Sequence, residues 1–114
     1  MTIDTFVKHY NLHDSYITIL EYSQDENTLT MYINFAFWMQ ESFKEGTPEN
    51  GIIKVVFHNV SQYLCDGGDP TGAFVGILGS EYKNDTFILK LLDDETNMYF
   101  EVHIISDSVE VTTV

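Results

Sequence analysis

Two adjacent residues near the start of the chain, His13 and Asp14, are of types that bind metals or act as acid and base. They directly precede a segment that reads as a strand, and neighbouring residues on a strand point to opposite faces. They would therefore not converge on one reacting atom. We expect instead that Asp14 or Ser15 bonds local backbone N–H groups at the strand entry, with His13 packed beside them.

The single cysteine, Cys65, opens the second candidate segment, Cys-Asp-Gly-Gly-Asp. A nucleophilic cysteine needs a nearby histidine and a lowered pKa, and His58 lies seven residues away in no known signature. Asp66 and Asp69 are two carboxylates in a Gly-rich loop, but the ligand spacing of a calcium-binding EF-hand is missing. We expect Cys65 to behave as a small buried hydrophobe and predict no catalytic residue.

The four histidines offer an alternative chemistry, a zinc site. His58 and His103 each fall on the less apolar face of a predicted strand, and neighbouring strands would let them pair, with His9 or His13 as a third ligand. No H-x-H, H-E-x-x-H or C-x-x-C spacing supports such a site. We therefore predict no metal ion and no cofactor.

The charge is the most unusual property of the composition. Eighteen acidic residues face five lysines and no arginine, which gives a net charge of −13. Nucleic acids and anionic membranes are disfavoured partners, because binding them requires clustered Lys and Arg. A basic protein remains as a partner, and its approach would be electrostatically steered. The alternative interpretation is that the acids only keep an aromatic-rich domain soluble.

The densest acids of the second half fall in two predicted loops. One is 65–72, with Asp66 and Asp69, and the other is the turn 93–97, with Asp93, Asp94 and Glu95. Because binding residues concentrate in loops, we predict that these five carboxylates contact the partner. No catalytic, cofactor-binding or metal-ligating residue is predicted beside them.

The elements that must position these residues are mostly strands. Alternation of apolar and polar residues predicts about seven of them, and the opening residues 2–10 predict a short helix that Thr2 or Asp4 could cap. The predicted strands are 16–22, 28–38, 52–60, 74–83, 86–92, 98–105 and 108–114. Residues 40–51 read as a long loop. The prediction is one all-β domain over 1–114, an antiparallel meander forming a barrel or a sandwich, without a repeat of fixed period.

The richer apolar faces of these strands predict the core. Phe35 belongs to it, from the strand 28–38, in which alternate residues are apolar. Other core positions are predicted in the same way: Val55, Phe57, Leu89, Phe100 and Val102.

Three segments carry a resemblance to known proteins: "LHDSYITILEY", "TLTMYINF" and "IIKVVFHNV". The first two are similar to the opening of several small uncharacterised bacterial all-β families, in which a Leu-His-Asp-Ser-type start leads into a hairpin. The third is similar to a strand that those families carry near mid-chain. Some members sit among toxin-immunity genes, which implies binding rather than catalysis. No site residues follow from the resemblance.

These observations lead to one expected function and two alternatives. The expectation is a non-enzymatic acidic binding protein, of the immunity type, that caps a basic partner protein. The first alternative is a small-molecule-binding β-barrel or a small enzyme that uses His13 and Asp14 or the Cys65 loop. The second is an oligomeric structural subunit, a homo-oligomer formed through exposed aromatics. The start of the sequence lacks a signal-peptide pattern, so we expect a cytoplasmic protein.

Overall fold

The computed structural model describes residues 1–40, 43–46, 48–68 and 75–114 of the 114-residue chain. In these ranges one short α-helix is followed by eight β-strands, which confirms the predicted all-β class with a short helix near the start. The elements are α1 (Ile3–His9), β1 (Tyr16–Ser23), β2 (Thr28–Ala36), a 3-10 turn (Phe37–Met39), β3 (Asn50–His58), β4 (Gln62–Asp66), β5 (Val75–Lys83), β6 (Thr86–Asp93), β7 (Met98–Ile105) and β8 (Ser108–Thr113). Among the described residues, no helix has the length and apolar character needed to span a membrane.

Helix α1 is capped by Thr2, one of the two caps that the sequence offers. The Thr2 hydroxyl accepts a hydrogen bond from the Thr5 N–H at 3.2 Å, which satisfies one of the free donors of the first turn. An ion pair of 2.9 Å joins Asp4 to Lys8 one turn later. The opposite side of the helix carries Phe6, which is fully buried.

The strand that the sequence did not predict is β4, Gln62–Asp66. We assigned Cys65 and Asp66 to a loop, but both lie in this strand, which pairs with β7. The preceding strand, β3, ends at His58, because Asn59 adopts a left-handed conformation (φ 52°) that turns the chain. The predicted loop residues 69–72 lie outside the described part of the chain.

The eight strands form one antiparallel sheet in the order β4-β7-β6-β5-β1-β2-β3-β8. This order corrects the predicted meander, because β4 and β8 each pair far from their neighbours in sequence. The order is symmetric. The strands β1-β2-β3 and β5-β6-β7 form two equivalent three-stranded units. The strand that follows one unit in sequence completes the other unit, so β4 pairs with β7 and β8 pairs with β3. We call β1, β2, β3 and β8 the first half, and β5, β6, β7 and β4 the second half. Bulges occur at matching places, between Ile17 and Ile19 and between Ile77 and Gly79.

The two halves face each other across one hydrophobic core. Phe57 on β3 and Phe87 on β6 are separated by three strands in the sheet, yet their ring centroids lie 5.6 Å apart. Phe6 of α1 packs edge-on against both rings. The sheet therefore folds over on itself where β1 and β5 pair, through only two residues of each strand.

The predicted core is confirmed. All of its members are at most 6% exposed: Phe35, Val55, Phe57, Leu89, Phe100 and Val102. The alternate residues of their strands are half-buried or exposed on the outer face, which carries both polar and apolar side chains.

Candidate functional site

The Leu-His-Asp-Ser segment divides into a buried pair and an exposed pair. Leu12 and Ser15 are buried, and the Ser15 hydroxyl accepts a hydrogen bond of 2.9 Å from the Ala36 N–H. Ser15 thus bonds the backbone at the end of β2, 21 residues away, rather than a local group. Its role is to tie the entry of β1 to β2.

His13 and Asp14 are exposed and contact each other, with Nδ1 and Oδ1 3.3 Å apart. Our expectation that they would diverge assumed extended backbone, whereas Asp14 is left-handed (φ 65°) and precedes β1. His13 lines an open cleft of about 480 Å³ with Tyr10, Asn11 and Ser80, and Asp14 does not. His13 and Asp14 therefore form a surface contact and do not line this cleft together.

The histidines do not assemble as a metal site in the described part of the chain. His58 lies on β3 and His103 on β7, which are in different halves and are not neighbours in the sheet. His103 Nε2 lies 3.0 Å from Glu101 Oε1. Within the described residues, no group of three or more His, Cys, Asp or Glu side chains could hold a metal ion.

Cys65 is half-buried and packs against the core, opposite Val102 of β7. It also lines a shallow cleft of about 330 Å³ with Leu64, Asp66 and His103.

The fold places two groups of predicted partner-binding acids at one end of the second half. Asp66 is the last residue of β4 and pairs with Glu101, three residues beyond the first residue of β7. Asp93 is the last residue of β6, and Asp94 and Glu95 lie in the turn that follows it. The segment after Asp66 lies against β7, because a Cβ at Gly67 would meet the Tyr99 carbonyl oxygen. We call Asp66, Asp93, Asp94 and Glu95 the acidic corner; Asp69 lies outside the described residues.

Within the described residues, no Lys or His nitrogen lies within 4.0 Å of an acidic-corner carboxylate. Asp93 also shapes the turn, since its Oδ1 accepts hydrogen bonds from the Glu95 and Thr96 N–H groups. The corner thus presents concentrated negative charge on a hydrogen-bonded turn and a strand end.

Sequence reasoning missed a row of polar side chains beside this corner, on the outer face of β7. The Tyr99 hydroxyl donates to Glu101 Oε2 at 2.8 Å, and His103 contacts the other oxygen of the same carboxylate. The hydrogen bonds from Tyr99 and then from His103 lower the pKa of Glu101 below its ordinary range. Partial burial and then the hydrogen bond to Glu101 raise the pKa of Tyr99.

The alternation of Tyr99, Glu101 and His103 along 98–105 was the available signal, since it places all three on one face. Their arrangement keeps Glu101 ionised and holds the Tyr99 ring in place at the edge of the acidic corner. It therefore contributes one more fixed negative charge to this end of the sheet.

Comparisons with known proteins add little to this geometry. No protein-family model matches the chain, and no curated protein matches it. Among solved structures, the chain is similar to the crystal structure of an uncharacterized protein from Neisseria gonorrhoeae, at 9% identity and a TM-score of 0.45 over 90% of this chain and 93% of that one. A likeness at this level carries no argument about the fold or the function.

Proposed function

We propose that this protein is a non-enzymatic binding protein that captures a basic partner protein through its acidic corner, in the manner of a cytoplasmic immunity protein that caps a toxin. The observation that supports the proposal is that Asp66 and the 93–97 turn lie toward the same end of the second half of the sheet. No Lys or His nitrogen of the described residues lies within 4.0 Å of these carboxylates. Glu101, which the Tyr99 and His103 contacts keep charged, adds to the same end.

The physical basis is long-range attraction. A chain of net charge −13 without arginine repels nucleic acids and anionic membranes and attracts basic surfaces. Carboxylates clustered at one end also orient a basic partner as it approaches, which raises its association rate more than its final affinity.

The test begins with affinity capture of the partner from a lysate of the source organism, followed by on-rates with the purified partner. The rates are compared at about 0.01 M and about 0.15 M salt, where the Debye length is about 30 Å and about 8 Å. We expect a basic partner whose on-rate falls steeply with salt. An acidic partner, or a rate that ignores salt, contradicts the proposal.

A matched pair of variants distinguishes the effect of the acidic corner on association from the effect of the overall charge. The first neutralises the five predicted carboxylates, Asp66, Asp69, Asp93, Asp94 and Glu95, to Asn or Gln. The second neutralises five exposed acids away from the corner: Asp25, Glu26, Asp85, Asp107 and Glu110. Both have the same net charge, so only the first should slow association by about tenfold and flatten its salt dependence. Equal effects would show that the surplus charge acts without a defined site.

A further inference from the structure

A row of apolar side chains crosses the outer face of the sheet beside the acidic corner. The strand register places Tyr99 opposite Leu92, Leu92 opposite Gly76, and Gly76 opposite Tyr16. Leu78 joins the row from the bulge of β5. Tyr99 and Leu78 are 44% and 45% exposed, although Leu78 lies on the central strand β5.

A groove lies in this row beside Gly76, whose lack of a side chain lets the Tyr16 ring pack close to the backbone. The Tyr16 ring leans over this position: its Cε1 lies 3.3 Å from where a Cβ of residue 76 would be. The floor is fixed by backbone hydrogen bonds, from the Asp14 N–H to the Ile77 oxygen (3.1 Å) and from the Ile77 N–H to the Ser15 oxygen (2.8 Å). These bonds hold the segment before β1 against β5, so the groove is preformed.

The groove has apolar walls and two acids at its margin. It measures about 130 Å³, and Leu78 and Leu92 line it together with Asp14 and Asp94. This is well below the roughly 300–1,000 Å³ of small-molecule pockets, and it suits one long side chain. The groove is therefore complementary to a side chain that is aliphatic along its length and positively charged at its end.

Lys and Arg meet this requirement, because their stems lie against apolar surface while the charged ends stay near solvent. We propose, building on the proposed function, that the row is a docking surface for a basic segment of the partner protein, with one Lys or Arg side chain in the groove beside Gly76. Its stem lies against Tyr16 and Leu92, and its cation lies near Asp14 and Asp94. A second copy of this chain is a poor occupant, since it carries the same charge of −13.

The test uses the full chain and a defined probe, a capped Gly-Leu-Arg-Leu-Gly peptide, with its citrulline counterpart as the neutral control. Peptide titrations are followed by amide chemical shifts in ¹H–¹⁵N spectra. We expect the arginine peptide to shift the amides of Asp14, Gly76 and Leu78 and to bind at least about fivefold more tightly than the citrulline peptide. Equal binding of both peptides, shifts centred elsewhere or no binding would overturn the proposal.

Matched variants test the apolar wall and the charge separately. Leu78→Ser is compared with Leu64→Ser, another exposed leucine outside the row, and Asp14→Asn with Asp25→Asn, an exposed acid at the other end of the strands. Leu78→Ser and Asp14→Asn should each weaken binding of the arginine peptide by about fivefold, whereas the control variants should weaken it by less than about twofold. All four sites are exposed, and the dispersion of the spectra shows directly that each variant is folded.

The outcomes distinguish this inference from the proposed function. Leu78→Ser and Asp14→Asn leave all five predicted partner-binding carboxylates in place. If both variants behave like their controls while neutralising those five still slows association with the captured partner, the groove assignment is wrong and the proposed function stands. If the captured partner is acidic or insensitive to salt, the proposed function fails on its own test.

Discussion

The contact between Phe57 and Phe87 is the most direct test of the fold, because it exists only if the two halves face each other. Both rings are fully buried, their centroids lie 5.6 Å apart, and three strands of the sheet lie between the strands that carry them. An isolated Phe57→Ala change should lower the free energy of unfolding by about 3–5 kcal/mol. That is a large share of the about 5–15 kcal/mol that stabilises a typical domain.

A double-mutant cycle isolates the contact from the cavity. Phe57→Leu and Phe87→Leu keep most of the buried volume, so each should cost about 1 kcal/mol. An aromatic pair in this geometry contributes about 0.5–1.5 kcal/mol beyond its buried area, and we expect a coupling energy in that range. The control cycle pairs Phe57 with Phe35. The register partner of Phe35 on β3 is Gly51, six residues before Phe57, which places the two rings roughly 20 Å apart along the strands. That cycle should be additive to within about 0.5 kcal/mol.

Urea unfolding followed by far-UV circular dichroism measures all of these variants. The slope of the free energy with denaturant must stay constant for the cycle to be interpreted. A coupling energy near zero for Phe57 and Phe87, or a loss below about 1 kcal/mol for Phe57→Ala, would refute the arrangement of two facing halves.

Three further predictions concern single groups and the acidic corner. In an NMR titration, the pKa of the Glu101 carboxyl should lie below the ordinary glutamate range and rise in Tyr99→Phe. Because the folded-state pKa is depressed, the interaction stabilises the fold at pH values above the unfolded-state pKa of about 4.3. This stabilisation is lost as the pH falls through the folded-state pKa. An unchanged Glu101 pKa in Tyr99→Phe would contradict this assignment. Ser15→Ala should cost about 1–3 kcal/mol in urea unfolding by leaving the buried Ala36 N–H without its acceptor, against less than about 0.5 kcal/mol for Ser23→Ala. Neutralising the five predicted partner-binding carboxylates should leave the melting temperature unchanged or raise it, since like charges repel, and a marked drop would show that they stabilise the fold.

The regular strands could be predicted because alternation reports directly on which face is buried. In β2 the buried residues follow the alternation of the sequence almost to its end. The strand β4 carries no such signal: Gln62–Asp66 lies at an edge of the sheet, and none of its side chains is fully buried. A short edge strand needs little apolar pattern, so the sequence reads as a loop there.

The candidate site was predictable only in part. Composition and loop position identified the acids of the 93–97 turn, and β4 then brought Asp66 to the same end. Alternation assigns a face but not a neighbour across the sheet. The approach of Asp14 to Asp94 depends on β1 pairing with β5, and no local signal encodes that pairing.

The exchange of fourth strands makes the order of synthesis matter. When a ribosome has made β1, β2 and β3, the outer edge of β3 has no partner, because its partner Ser108–Thr113 follows only after four more strands. Likewise, β4 is synthesised before β7, the strand with which it pairs. Neither half can complete its sheet from its own contiguous segment, so complete folding must await the synthesis of β8. Pairings so distant in sequence fold slowly, and the waiting edges are the surfaces that a nascent chain would need to keep from aggregating.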